Sequence, residues 1–430
     1  MGTKESDAAK KTLKAGIAKT DVTPSESLWL GGYNLRETTS EGVSGPIFIR
    51  ALIFEGGNER IAFVACDAVM LPDNDEMRRS VGKATGINPD RIFLQNVHNH
   101  SSPIIGGKNA DSEYSHTYTD RITETVKAAL EDLEPVMVGA GTGCSFIAMN
   151  RRKMIEEEVS APTTFDENHH SQNSGKYKTD KPKLIRELPG VFRLGPNADG
   201  PIDESVGVIR IDTLEGKPKA VLVNYACHGT SLGGRNQKID PEWNGHMLLH
   251  LEEKIPGLQG IFLNGACGDI NPRVSGGMYG YKDDPLKTRE LGREIAREVL
   301  RVYENIEPVN LEDATINICK EDIYCPKRYI ALFDDPFETC IKVPTWGIRI
   351  KDFTFVTFPG ELFHRIGKAV KASCNNRFSF VVGYTNGSVG YLPTQDAYCE
   401  GGYEPAVTKF APPSEKIYLR EVKKLLRNLY

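Results

Sequence analysis

The sequence predicts an α/β (α+β) fold: one large domain with mixed β-sheets flanked by helices and a metal site at the strand ends. Three observations carry this. Strand-like and helix-like segments alternate from end to end, with no internal repeat and no break in composition. The 430 residues are enough to bury a large core. Apolar content of 39% and charged content of 26% are those of an ordinary globular chain. Residues 1–12 read as a flexible N-terminus and residues 13–430 as the domain.

The elements follow in order. Ala51–Phe54 and Ile61–Cys66 flank Gly56-Gly57-Asn58 and read as a hairpin. Asn74–Thr85 reads as a helix, with Asp73 as its N-cap and Gly86 behind it. Ile92–Val97 is a short apolar strand closed by Ser101-Ser102-Pro103. Asp120–Leu133 has helical spacing, with Ile122, Val126, Ala129 and Leu130 on one face. Val136–Gly141, Val206–Asp212 and Ala220–Ala226 are strand-like, Met247–Ile255 is a helix, and Gly260–Leu263 is a strand. Leu286–Glu304 is an amphipathic helix. In the last third, strands at Ala314–Ile318, Thr345–Ile350, Thr354–Phe358 and Phe378–Val382 accompany a helix over Glu361–Ala372. Residues 152–197, rich in acidic, basic and amide side chains, read as a long polar insertion or lid. The pair His169–His170 inside it lacks a scaffold and reads as solvated.

Charge and composition exclude several classes. Lys+Arg of 53 against Asp+Glu of 58 gives a net charge of −5, so no basic field invites nucleic acid. No stretch approaches the roughly 20 apolar residues needed for a membrane span. The charged N-terminus lacks an apolar h-region. That is expected of a cytoplasmic protein, or of a secreted or periplasmic one whose signal has been removed. Nine cysteines, an odd number with no CxxC pair, argue against a disulfide framework and a cysteine zinc site. The expected partner is a small molecule.

The chemistry concentrates where strands end. His98 and His100 lie two apart beyond Ile92–Val97, and in extended backbone both rings would leave on one side. Imidazole is the commonest metal ligand, though two polar residues in a turn would read the same way. His228 follows another strand, in Asn224-Tyr-Ala-Cys-His-Gly-Thr-Ser231. Glu361 follows Phe358-Pro-Gly360, Tyr391 stands in Gly390-Tyr-Leu-Pro-Thr394, and Tyr403 in Gly402-Tyr-Glu404. Leu263 to Arg273 is a turn of small residues. Several such residues at strand–loop junctions suggest one site at the edge of a sheet. Glu242, His246 and Arg273 could line it or satisfy the loops. Asp269 could order its turn or a histidine, and His364 could share the face of Glu361.

These motifs together resemble the catalytic N-terminal domain of the neutral/alkaline (non-lysosomal) ceramidases. Gly16-Ile-Ala-Lys-Thr-Asp-Val-Thr-Pro24 and Gly31-Gly-Tyr33 resemble that family's N-terminal signature. His98-Asn-His-Ser-Ser-Pro103 is similar to HTHSGP, Asn150-Arg151 to the NR pair, and His228-Gly-Thr-Ser231 to HGTS. Gly268-Asp269 with Pro272 resembles GDxxP, Pro359-Gly-Glu361 resembles PGE, and Tyr391-Leu-Pro-Thr394 resembles YVTT. The resemblance implies a Zn2+ ion held by His98, His228, Glu361 and Tyr391, a ligand set that suits zinc. It implies His100 as proton donor or acceptor, and Arg151 and Tyr403 as donors to a developing oxyanion. The implied activity is hydrolysis of an amide (N-acyl) bond by a zinc-activated water, as in sphingolipid metabolism.

Two departures qualify it. The family's GDxxP turn contains a serine treated as catalytic, and Asn271 stands there in this chain. Asn has no hydroxyl and cannot be acylated, so its amide would hold substrate or oxyanion, or only the turn. The sequence also ends about one helix after Tyr403, so the immunoglobulin-like C-terminal domain of long ceramidases is expected to be missing. Two other functions stand beside the hydrolase. One is a zinc-dependent hydrolase or lyase acting on a polar carbohydrate, and the other is a non-catalytic ligand-binding relative.

Overall fold

The computed structural model describes residues 12–34, 36–72, 74–155, 191–275, 283–328 and 338–430. Its largest sheet runs in spatial order Gln259–Asn264, Pro218–Tyr225, Ser205–Thr213, Glu134–Cys144, Lys14–Asp21, Phe48–Gly56, Glu59–Cys66 and Ile92–Asn96. The short strand Val309–Asn310 pairs off this path with Glu134–Cys144. The middle is antiparallel, but each end closes with a parallel pair. Glu59–Cys66 runs parallel to Ile92–Asn96, and Pro218–Tyr225 runs parallel to Gln259–Asn264. The C-terminal ends of parallel strands are where ligands meet such sheets. His98 and His228 follow two of these ends.

Both faces of this sheet are covered, so its strands read as continuous apolar runs rather than alternating ones. Alternate residues serve separate cores. Leu52, Phe54 and Phe63 join one cluster, while Ala51, Ile53 and Val64 join another under the helix Ser112–Glu131, which adds Tyr118, Ile122 and Val126. The first cluster takes in Trp243 and Met247 of helix Glu242–Lys254, and Ile295 and Val299 of helix Pro285–Glu304. It continues into a second sheet of Ile316–Pro326, Cys340–Ile350, Phe353–Thr357 and Phe378–Val382, through Trp346, Phe355 and Phe380. Helices His364–Lys371 and Ser414–Leu429 cover the outer face of that sheet with Ile366, Val370, Tyr418 and Val422.

Buried side-chain amides stitch these layers below the strand ends. Gln95 Nε2 donates to Asn264 O at 3.1 Å and to Gly383 O at 2.7 Å. Asn264 Nδ2 donates to Val97 O, so the two edge strands of the large sheet are linked through side chains. Asn224 Nδ2 donates to Leu263 O and Val381 O. Asn386 accepts from Leu94 N and donates to Ile92 O, as a neighbouring strand would.

Several elements differ from expectation. The helix expected over Asp120–Leu133 spans Ser112–Glu131, its start fixed by Asp111, whose Oδ1 accepts from Tyr114 N. The helix expected over Glu361–Ala372 spans His364–Lys371. Glu361–Leu362 instead forms a parallel two-residue strand with Tyr391–Leu392, a pairing that periodicity cannot reveal. Residues 152–155 and 191–197, expected as parts of a polar excursion, lie in an antiparallel pair of strands, Ala148–Ile155 and Val191–Asn197. The stretch between, including His169–His170, lies outside the described residues, as does Asp73. All nine cysteines are free thiols. No helix of the described residues is long and apolar enough to cross a membrane.

Candidate metal centre

His98 does not leave on an extended strand. Its φ of 62° is left-handed, so the alternation of extended backbone is not what brings His98 and His100 together. The turn does so instead, and leaves the two ring centroids 4.6 Å apart. His98 Nδ1 donates to Val69 O at 2.9 Å, and its ring stacks on Tyr384 at 4.5 Å. His228 Nδ1 donates to Ile270 O at 2.9 Å. A carbonyl only accepts, so both Nδ1 atoms carry a proton and both Nε2 atoms are left to face the site. This second contact is the one that metal-binding histidines make.

Both Nε2 atoms face one carboxylate. Glu361 Oε2 lies 3.0 Å from His228 Nε2 and 3.6 Å from His98 Nε2. One ligand atom from each of the three residues falls within 4.8 Å of the others. Two open imidazole nitrogens and a carboxylate, all largely buried, form a donor set that fits zinc.

The electrostatics follow from burial and shared charge. Burial would raise the Glu361 carboxyl, but His98, His228 and Arg151 outweigh it and hold the pKa near about 2. Burial pushes His98 down to about 4. For His228, Cys267 and Glu361 overcome burial and lift it to about 9. Two rings sharing one carboxylate thus shift in opposite directions. The ring with the shorter contact to Glu361 is the one that holds a proton more readily, and a cation bound between them would displace it.

The other expected residues gather here. Arg151 is buried and branches to four partners. Its Nε donates to Glu404 at 2.7 Å, Nη1 donates to Asn271 Oδ1 at 3.1 Å and lies 3.4 Å from His228 Nε2, and Nη2 donates to Tyr391 OH at 3.2 Å. Tyr391, paired in register with Glu361, is thereby tied to the cluster through Arg151. Burial, with Glu361 nearby, drives its phenol well above the ordinary range. Tyr403, half exposed, sets its ring edge against Tyr391 at 5.8 Å. It opens a short helix behind Gly401-Gly402, whose φ values of 75° and 94° demand glycine. His100 has both ring nitrogens buried and without a hydrogen-bond partner. Burial, with His98, His228, Arg36 and Arg151 close by, pushes its pKa well below the ordinary range.

The ambiguous residues resolve. Glu242 accepts from Ser101 Oγ, Ser231 N and Leu232 N, and so satisfies the loops beneath the site. His246 pairs with Asp240 at 3.2 Å, and Arg273 pairs with Glu294 at the surface. Asp269 holds His364, accepting from its Nδ1 at 2.6 Å and from its backbone N at 2.9 Å. Sequence reasoning gave no role to Glu404, the carboxylate shared by Arg151 and Arg152. Its signal was available: two adjacent arginines in a strand need a buried counter-charge.

The sequence model of a family described as neutral/alkaline non-lysosomal ceramidase, N-terminal, matches residues 13–288, more than half of the chain. The chain belongs to this ceramidase family. A neutral ceramidase of Drosophila pseudoobscura pseudoobscura is 23% identical over 287 residues, covering 62% of this chain and 37% of that protein. A neutral ceramidase of Drosophila melanogaster is 22% identical over 284 residues, with the same coverage of each chain. The match therefore spans well under two thirds of these curated relatives. Among solved structures, the neutral ceramidase from Pseudomonas aeruginosa superposes with a TM-score of 0.73 at 17% identity. That superposition covers 97% of this chain and 74% of the other. A ceramidase complexed with C2 gives a TM-score of 0.71, also at 17% identity, covering 97% of this chain and 75% of the other. At that identity the likeness is one of fold.

Proposed function

We propose that this family member is a zinc-dependent hydrolase that cleaves an amide (N-acyl) bond. The observation that carries the reading is the convergence of His98 Nε2, His228 Nε2 and Glu361 on one point, with both Nδ1 atoms tied to carbonyls. Tyr391 completes the proposed ligand set. Zinc held there supplies Lewis acidity and lowers the pKa of water to about 7.

The chain's own residues would do the rest. Arg151, fixed by Glu404 and Asn271, presents a guanidinium beside His228 and stabilises negative charge as it develops on the substrate carbonyl oxygen. Tyr403 donates from the open side of the site. Neutral His100 takes the proton from the attacking water and returns it to the leaving nitrogen as the C–N bond breaks. Asn271 offers no hydroxyl, so no acyl group is carried on the protein at that position. Its amide oxygen instead holds Arg151 in place.

The test is hydrolysis of a labelled short-chain ceramide, with the zinc content of the protein quantified in the same tube. His98→Ala and Glu361→Ala should each lose both bound zinc and turnover. Labelled oxygen from water should appear in the fatty acid. Full turnover by either variant would overturn the proposal. A full zinc site without ceramide turnover would keep the centre and move the search to other N-acyl amides.

A further inference from the structure

Among the described residues, five arginines are buried, and four of them have a carboxylate. Arg50 pairs with Glu252, Arg78 with Asp75, and Arg151 and Arg152 with Glu404. Arg36 is the exception. Its Nε donates to Asn236 O at 3.1 Å, its Nη1 donates to Gly31 O, and its Nη2 is buried with no partner. The carboxylates that act on it from nearby, Glu242 and Asp283, form no ion pair with it, and Asp283 Oδ2 is itself buried without a partner. Glu242 serves Ser101, Ser231 and Leu232, while Asp283 Oδ1 accepts from Gly233 N. A guanidinium stays charged in any protein, and a buried charge with an unpaired N–H and no carboxylate in contact is costly. A substrate that brings its own negative charge would offset that cost.

Arg36 also stands in the right place. Its guanidinium lies 5.1 Å from the ring centre of Tyr33, and Tyr33 meets the edge of His100 at 4.9 Å. The loop they share packs directly on His100, since a Cβ at Gly32 would lie 2.4 Å from His100 Nδ1. Asn236, which accepts from Arg36, donates in turn to Ser101 Oγ in the turn after His100. Thr230 Oγ1 and Ser231 Oγ, just after His228, are likewise buried without partners. The His100 side of the centre therefore holds a buried cation with no carboxylate in contact.

We propose that Arg36 is a specificity residue and that the substrate is an acidic amide, bearing a carboxylate or similar anionic group that Arg36 receives on the His100 side. The proposal rests on reading His98, His228 and Glu361 as the hydrolytic centre. Binding is the readout, so that it can be tested without turnover. N-acetylglycine and N-dodecanoylglycine are titrated calorimetrically against the full chain, each beside its neutral ethanolamide. The acids should bind about tenfold or more tighter than the matched neutral compounds, as a hydrogen bond to a charged group allows. Arg36→Met should erase that preference and Arg36→Lys should keep part of it.

Three outcomes would overturn the proposal: equal binding of acid and neutral partner by the unaltered protein, no binding of either acid, or a preference that survives Arg36→Met. In the last case, loss of the preference after chelation would assign it to the metal. The first two outcomes need no variant, so a misfolded Arg36→Met leaves the test intact. Absence of zinc, or of turnover with a demonstrated acid preference, would instead count against the hydrolytic reading and leave the anion site standing.

Discussion

Glu404 carries more than its share of the site. One fully buried carboxylate holds Arg151 on one oxygen and Arg152 on the other. Removing one partner of such a group leaves buried charge behind and costs about 3–5 kcal/mol. Glu404→Gln should therefore lower the urea midpoint. It should also reduce kcat more than it raises KM, because Arg151 would lose its aim toward the developing charge. An unchanged kcat in a folded variant would detach Glu404 from function. The candidate residues could be singled out because they stand in short motifs where strands end, several of them beside glycine. Their partners could not: the carbonyls of Val69 and Ile270 that orient the two histidines leave no trace in residue type. The left-handed φ of His98 was equally hidden, since nothing in Val97-His98-Asn99 demands it.

At the scale of elements, the turn Cys267–Asp269 leans on the strand that carries Glu361. Gly268 N donates to Leu362 O at 2.8 Å, and a Cβ at Gly268 would lie 2.6 Å from Glu361 O. If zinc is held at Glu361, Gly268→Ala should push that strand aside and weaken its binding about 10–100-fold, the range seen when outer contacts of a metal site are altered. Competition with a chromophoric chelator would measure it. Phe63 tells the same story for the core, lying 4.9 Å from Phe355 and 5.4 Å from Phe93 between the two sheets. Phe63→Ala should cost about 3–5 kcal/mol, read from the denaturant midpoint. Long elements such as Asn74–Thr85 and Pro285–Glu304 were readable because an apolar periodicity runs through several turns of each. The strands Glu361–Leu362, Tyr391–Leu392 and Ile270–Pro272 were not, because two or three residues hold no period and pair across great chain distances.

At the scale of the whole molecule, the candidate ligands come from positions 98, 228 and 361, beyond three different sheet strands. Zinc would bind the folded chain alone. Removing it with a chelator should lower Tm, by the equivalent of about 4 kcal/mol for zinc at a thousandfold excess over Kd. Stability should also vary with pH through Asp67, whose carboxyl burial pushes up to about 6 although Phe48 N donates to it. The folded state then holds this proton more tightly than the unfolded chain does. Its contribution is complete below about pH 4, where an ordinary Asp titrates, and is lost as pH rises through about 6. Asp67→Asn should flatten that part of the stability curve, measured by urea unfolding at a series of pH values.

The amides beneath the centre bear on how the protein meets acid. Gln95, Asn224, Asn264 and Asn386 join the edge strands and the two sheets without a single titratable proton. Protons compete for the imidazoles above them but find nothing to take in these four amides. Acidification should therefore release zinc, if it is held there, while the bonds these amides make between the strands persist. Raising the pH again with zinc present should return it to service without refolding, as a socket accepts a replaced bulb.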